Sequence, residues 1–313
     1  MFQFNRQLVC ALAFLQLSVV SRSSAADGQK YFPEATQVVV TVNVQQILHS
    51  ALLAGELGRI RRELERNDQV KQTLESIGFD PLKDLNSVTL ASAGPSDSEK
   101  TVLVLVGSFD AKRIHAKAED VARAKGELLK IHQDKGHAVY ETNLPAQSKT
   151  LFVAVLDPTT LIASFKRAYV VDALDIRAGT KMNALQNQVR DLLEKSDPKQ
   201  SITLVSMGSA LAKDLPQAEK IRHLAGGITI GDNITTDFTI AATDRAAATD
   251  LARQLKEGLD QGKNFLTLIA MNQKELSPLV EVLGSLRVTE QGSDVKITGE
   301  VTKEFLDRLK NKQ

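Results

Sequence analysis

The first strong pattern is the run Gln37-Val38-Val39-Val40-Thr41-Val42-Asn43-Val44. Its β-branched residues predict a pleated, largely buried strand, opened by Phe32-Pro33. Gln45 to Ala54 reads as a short helix. Leu57, Ile60, Leu64, Val70, Leu74 and Ile77 mark a longer, heavily charged one, which Gly78 closes. Asp80-Pro81 restarts a helical turn, with Asp as cap and Pro at the first helical position. Ser87 to Ala93 and Thr101 to Phe109 predict two strands joined by the polar loop Gly94 to Lys100.

Asp110 caps a helix to about Lys125, and Gly126 stops it. Leu128 to His132 and His137 to Glu141 read as a hairpin around Gln133 to Gly136, followed by a strand from Thr150 to Leu156. Asp157-Pro158 then predicts a helix to about Leu174, and Met182 to Lys195 a further one. The order replays after Pro198: a strand at Ser201 to Met207, a short helix at Ser209 to Leu211, and a hairpin from Gly226 to Ala242. Asp244 caps a helix expected to end at Gly262, Phe265 to Leu283 reads as another, and a last hairpin and helix end at Lys310.

Both passages carry a strand, an Asp cap, an alanine-rich helix and a closing Gly in the same order: Thr101 to Gly126, then Thr235 to Gly262. That points to internal duplication. Hairpins separated by helices favour an α+β fold over a doubly wound parallel sheet. The expectation is two related halves, 27–197 and 198–313, each with antiparallel hairpins and helices on one sheet face, of ferredoxin-like type.

The N-terminus changes the picture of where the chain works. Arg6 precedes an apolar stretch from Leu8 to Val20, and Ser23-Ser24-Ala25-Ala26 supplies small residues. This is the order of a secretory signal, 1–26, with cleavage after Ala26. The apolar stretch is shorter than the roughly 20 residues of a spanning helix, so an uncleaved anchor is the weaker alternative. The expected location is the periplasm or the extracellular space. Cys10, the one cysteine, leaves with the signal, so the mature chain has no thiol chemistry or cysteine metal site. Removing Arg6 and Arg22 takes the charge from 39 bases against 38 acids to 37 against 38, which offers no long-range attraction for a polyanion. No Trp and 4% aromatic residues also argue against stacking on sugars or single-stranded nucleic acid.

Few residues suggest chemistry. His132 and His137 flank the expected hairpin loop and would form a weak metal site with Asp134 or Glu141, or stand as two solvent-facing strand residues. Ser206-Met207-Gly208-Ser209 has the strand-to-helix context of a nucleophile turn but no partners, so a capping turn is the expected role. Gly226-Gly227-Ile228-Thr229-Ile230-Gly231 falls in a hairpin, not at a helix start, and reads as a bulge or bend. No catalytic residue, cofactor or metal is assigned.

Phe32-Pro33 through Val44, and Gly78-Phe79-Asp80-Pro81-Leu82-Lys83-Asp84-Leu85 before a hairpin, resemble uncharacterised exported proteins of planctomycete-type bacteria. The two-half plan resembles the DUF3352-like group. The resemblance implies export and a duplicated α+β fold, and it brings no catalytic residues. The leading expectation is a non-enzymatic binding or scaffold module of the cell envelope, with an unknown protein or envelope component as partner. The alternatives are a carrier of a small apolar ligand, which needs an apolar space between sheet and helices, and a hydrolase with a dispersed site, which needs a histidine beside a carboxylate or serine in a cleft.

Overall fold

The computed structural model describes residues 28–66, 71, 74, 75, 77–94, 98–144, 149–211, 217–271 and 277–310. The signal segment with Cys10 and Ala26, Val70, and Pro95 to Asp97 of the first hairpin loop lie outside the described residues. In chain order the elements are β1 (Val38–Asn43), α1 (Val44–Leu48), α2 (Leu57–Arg66), α3 (Pro81–Asp84), β2 (Leu85–Ser92), β3 (Thr101–Gly107) and α4 (Ala111–Ala124). Then come β4 (Leu129–Asp134), β5 (His137–Leu144), β6 (Lys149–Asp157), β7 (Thr160–Ser164), α5 (Arg167–Arg177) and α6 (Asn187–Glu194). The rest is β8 (Ile202–Met207), α7 (Gly208–Leu211), β9 (Ile221–Ile230), β10 (Ile234–Ala242), α8 (Arg245–Ala270), α9 (Ser277–Ser285), β11 (Arg287–Gln291), β12 (Asp294–Val301) and α10 (Lys303–Lys310).

The fold is α+β: helices around one large antiparallel sheet of 12 strands, in the order β11-β12-β10-β9-β8-β1-β2-β3-β7-β6-β5-β4. β1 sits inside the sheet, pairing with β2 on one side and β8 on the other. Every pairing among the described residues is antiparallel. A ferredoxin-like split β-α-β unit needs parallel neighbours, so that expectation gives way to antiparallel strands laid side by side.

Helices also cover both faces rather than one. On the first face, Val39, Ala91, Val102, Val104, Ala154 and Ile162 pack with Val170 and Ala173 of α5, Val189 of α6, and Tyr31 and Phe32 of the leader. On the second, Ile240, Ala242, Val288 and Val295 pack with Ala247, Ala248, Leu251 and Ala252 of α8. The small residues of α8 let it lie close to the sheet. Strand parity explains the switch, because residues directly opposite across a pair share a face. Val39 and Val205 are paired on the first face, whereas Leu204 falls in register with Gly226 and Phe238 on the second.

Several helix boundaries differ from expectation: α6 begins at Asn187 rather than Met182, and the helix expected over Phe265 to Leu283 falls in α8 up to Ala270 and in α9 from Ser277. Asp157-Pro158 does not open a helix: the Asp157 carboxylate accepts from the Thr159 amide at 2.8 Å and its hydroxyl at 2.7 Å. This closes a turn in which Asp157 pairs with Thr160, and Leu161 to Ala163 then fills the place between β3 and β6. An Asp-Pro pair suits a helix start and a turn alike, and burial of this apolar strand decides it. Likewise α8 runs through Gly258 and Gly262 to Ala270. An interior glycine costs a helix about 1 kcal/mol but does not end it. Other signals act as read: Asp80, Asp110 and Asp244 each cap a helix through the carboxylate.

Glycines next to a neighbouring strand are fixed by contact. A Cβ on Gly208 would sit 1.7 Å from the Ile221 carbonyl oxygen, whereas one on Gly258 meets nothing within 4 Å. Gly208→Ala is therefore expected to lose about 1–3 kcal/mol, and Gly258→Ala to gain up to about 1 kcal/mol. Urea unfolding checks both; equal effects of the two substitutions would contradict the contact geometry.

Lys220 and Arg253 both bond the Asp250 carboxylate, tying the turn before β9 to α8. Hydrogen bonds from Lys220, then Arg253 and Gln254, lower the Asp250 pKa from 3.8 to about 2. A depressed carboxylate stabilises the fold above its unfolded pKa and loses that contribution as pH falls through the folded one. Asp250→Asn should accordingly flatten the dependence of unfolding on pH between about 4 and 2. An unchanged slope would show that this cluster holds nothing together.

Candidate ligand face

The two sheet faces are unequally covered in the middle. Two cross-strand rows run along the second face in direct register. The first is Val155, Leu161, Leu105, Val88, Val42, Ile202 and Ile228. The second is Val153, Ala163, Leu103, Leu90, Val40, Leu204, Gly226 and Phe238. With strands about 4.8 Å apart, the first row spans about 29 Å.

Exposure separates these rows from the opposite face. Val39, Ala91, Val102, Val104, Ala154, Ile162 and Val205 of the first face are each no more than 1% exposed. In the two rows Ala163 is buried, and every other residue is only half-buried. The result is a broad aliphatic floor partly open to water, with α8 packed on β10 to β12 at one side and α4 over the β4–β5 hairpin at the other.

A polar cavity of about 270 Å³ adjoins the floor beneath α4, lined among others by Ala111, His115, Gln133, His137, Tyr140 and Val155. Val155 is also the first residue of the aliphatic row. Asp110 caps α4 and so places His115 over β5, where its Nδ1 lies 3.1 Å from the Tyr140 hydroxyl. One turn further on, Glu119 lies 3.6 Å from His115 Nε2. Tyr140 is 7% exposed. Burial pushes its phenol above the ordinary range, and the Glu119 charge adds to that. At neutral pH this phenol is therefore a hydrogen-bond donor.

Besides a groove of about 420 Å³ lined among others by the charged Lys263, Glu281, Glu300 and Arg308, two larger cavities lie elsewhere. One of about 510 Å³ is lined by Tyr31, Pro33, Tyr169, Ile176 and Met182, with the Lys181–Asp172 ion pair at 2.6 Å beside it. The other, about 470 Å³, has Thr41, Asn43 and Thr203 with Glu194 and Asp197. Both are crevices between the leader and α5 or α6 with mixed walls, and they gather neither an aliphatic row nor an imidazole.

His132 and His137, the weak candidates for a metal site, are not brought face to face. His132 is opposite Val139 and His137 opposite Asp134, so they are diagonal neighbours. His132 turns to Glu141, with Nε2 2.7 Å from the carboxylate, and this bond lowers the Glu141 pKa. Among the described residues no group of three or more His, Cys, Asp or Glu side chains is placed to hold a metal ion. Asp134 pairs with Arg167 at 2.7 Å, and Lys135 with Asp175, which ties the hairpin tip to α5. Lys135 and Gly136 both have positive φ, 50° and 83°, as a two-residue hairpin turn requires.

Ser206 is 1% exposed and its hydroxyl donates to the Met207 carbonyl at 3.2 Å. The Ser209 hydroxyl donates to Gln37 at 3.1 Å, so this turn serves to join elements. A Cβ on Gly226 or Gly227 would meet the neighbouring Asp237 or Ile202 carbonyl at 2.2 or 2.1 Å. These glycines sit inside β9 as close-approach positions and frame no phosphate. His115 and Tyr140 went unread because 25 residues separate them and no local motif joins them. The available hint was His115 on α4 four residues before Glu119.

No family model, curated protein or solved structure matches this chain. No described helix is long and apolar enough to cross a membrane.

Proposed function

We propose that the chain is an exported, non-enzymatic binding module of the cell envelope that holds an apolar partner on the second sheet face. The observation that carries this reading is the pair of aliphatic rows, half-buried in the middle of a sheet whose opposite face is buried at Val39, Ala91, Val102, Val104, Ala154, Ile162 and Val205. Contiguous apolar surface left partly open to water fits a binding surface. The flanking helices α4 and α8 fit the carrier idea, in which the ligand lies between sheet and helices. His115 and His132 each have a carboxylate neighbour, yet neither imidazole is hydrogen-bonded to a serine among the described residues. The hydrolase alternative therefore has less support.

Duplication belongs to the same proposal. Outward from the β1–β8 seam, one side runs β1-β2-β3-β7-β6 and the other β8-β9-β10-β12-β11. In each, a long helix follows the third strand, α4 or α8, and a helix follows the hairpin, α5 or α10. The β4–β5 hairpin is then an addition to the first half. The β1–β8 pairing, with Val40 opposite Leu204, supplies a local twofold relation. The signal reading of 1–26 supports export.

Two measurements test the proposal. N-terminal sequencing of chain recovered from its own envelope should begin at Asp27; a retained Met1 contradicts the cleavage. Native mass spectrometry of that material should show a bound apolar molecule. Leu105→Asn, on the floor, should lose it, and Thr239→Asn, on the other face, should keep it. A bare wild-type chain that also fails to bind an alkyl fluorophore overturns the floor as a ligand surface.

A further inference from the structure

The cavity beside the floor narrows the ligand class. Val155 belongs to both, so a molecule seated in the cavity continues directly onto Leu161, Leu105 and Val88. At about 270 Å³ the cavity falls just below the roughly 300–1,000 Å³ of sites that enclose a whole small ligand. It suits a head group whose tail lies outside.

Its chemistry selects against charge. No Lys or Arg lines it, and the acid Glu119 lies 3.6 Å from His115. A carboxylate or phosphate placed there would lose water without gaining a cation, beside a like charge. Phosphate sites characteristically recruit Arg or Lys. The cavity instead offers the Tyr140 hydroxyl, the Gln133 amide and the His115 and His137 imidazoles, groups that donate and accept hydrogen bonds without net charge when the imidazoles are neutral.

Resting on the reading of the aliphatic rows as a ligand floor, we propose that the ligand is a long-chain lipid with an uncharged, hydroxyl- or ester-bearing head, seated against Tyr140 and His115. The tail runs from Val155 across β7, β3 and β2. Glu119 lies 3.6 Å from His115 Nε2, and its charge favours a proton on that nitrogen, which leaves Nδ1 to accept from the Tyr140 hydroxyl; Glu119 thus acts as a positioning residue.

The test is displacement of an alkyl fluorophore without a polar head from the mature chain. The competitors are a monoacylglycerol, the fatty acid of the same chain length as its carboxylate, and a lysophospholipid of that length. The monoacylglycerol should compete at concentrations at least tenfold lower than either charged lipid. Tyr140→Phe and His115→Ala should each weaken it about tenfold while fluorophore binding stays unchanged, a split that unfolding would not produce. Equal or tighter binding of a charged lipid, or no effect of either substitution, overturns the head-group assignment and leaves the floor standing. A wild-type chain that does not take up the fluorophore removes the floor itself, and this inference with it.

Discussion

The structure depends on β1 being paired on both edges and buried on one face. Its alternation sends Val39 and Thr41 to one face and Val38, Val40 and Val42 to the other. Register is fixed wherever one face is buried, since a slip of one residue would exchange the two sets. Here Val39 is 1% exposed between Ala91 and Val205, and the Thr41 hydroxyl lies 3.0 Å from that of Thr89. The Asn43 amide donates to the Gln200 carbonyl at 2.6 Å, tying the end of β1 to the chain that enters β8. One strand thus joins the 27–197 segment to the remainder of the sheet.

Unequal covering of the sheet follows from that junction. The leader, α5 and α6 fill the first face beside β1 and the strands that follow it. On the second face α8 reaches only the far strands, and α4, with no fully buried residue, sits over the β4–β5 hairpin. The aliphatic side chains between them retain partial exposure. A folded chain that leaves such a strip wet gives up stability from its burial, at roughly 25 cal/mol per Å². A ligand that covers the strip recovers it, which links the packing of the sheet to the proposed binding role.

Much of the element order was legible in the sequence because it rests on local signals. The Val-rich run at β1, the Asp caps at Asp80, Asp110 and Asp244, and the hairpin glycines act at short range. What was not legible depends on distant partners. Asp157-Pro158 suits two local structures, and the open place beside β3 chose the strand. Gly262 suits a helix end, but its missing side chain faces Leu283 of α9 at 3.6 Å, and α8 continues past it. Parallel or antiparallel pairing, and which face each helix covers, are decided by strand order. The same holds for the site: His132 and His137 stood out by closeness in sequence, whereas His115 and Tyr140 meet only through the placement of α4 on β5.

The most direct measurement uses methyl NMR of the mature chain titrated with a long-chain monoacylglycerol. Binding at the proposed face predicts shifts at Val42, Val88, Leu105 and Leu161, with Val39, Val102 and Val104 on the covered face little changed. Shifts confined to the covered face, or none on either, would contradict a ligand floor on the second face of the sheet.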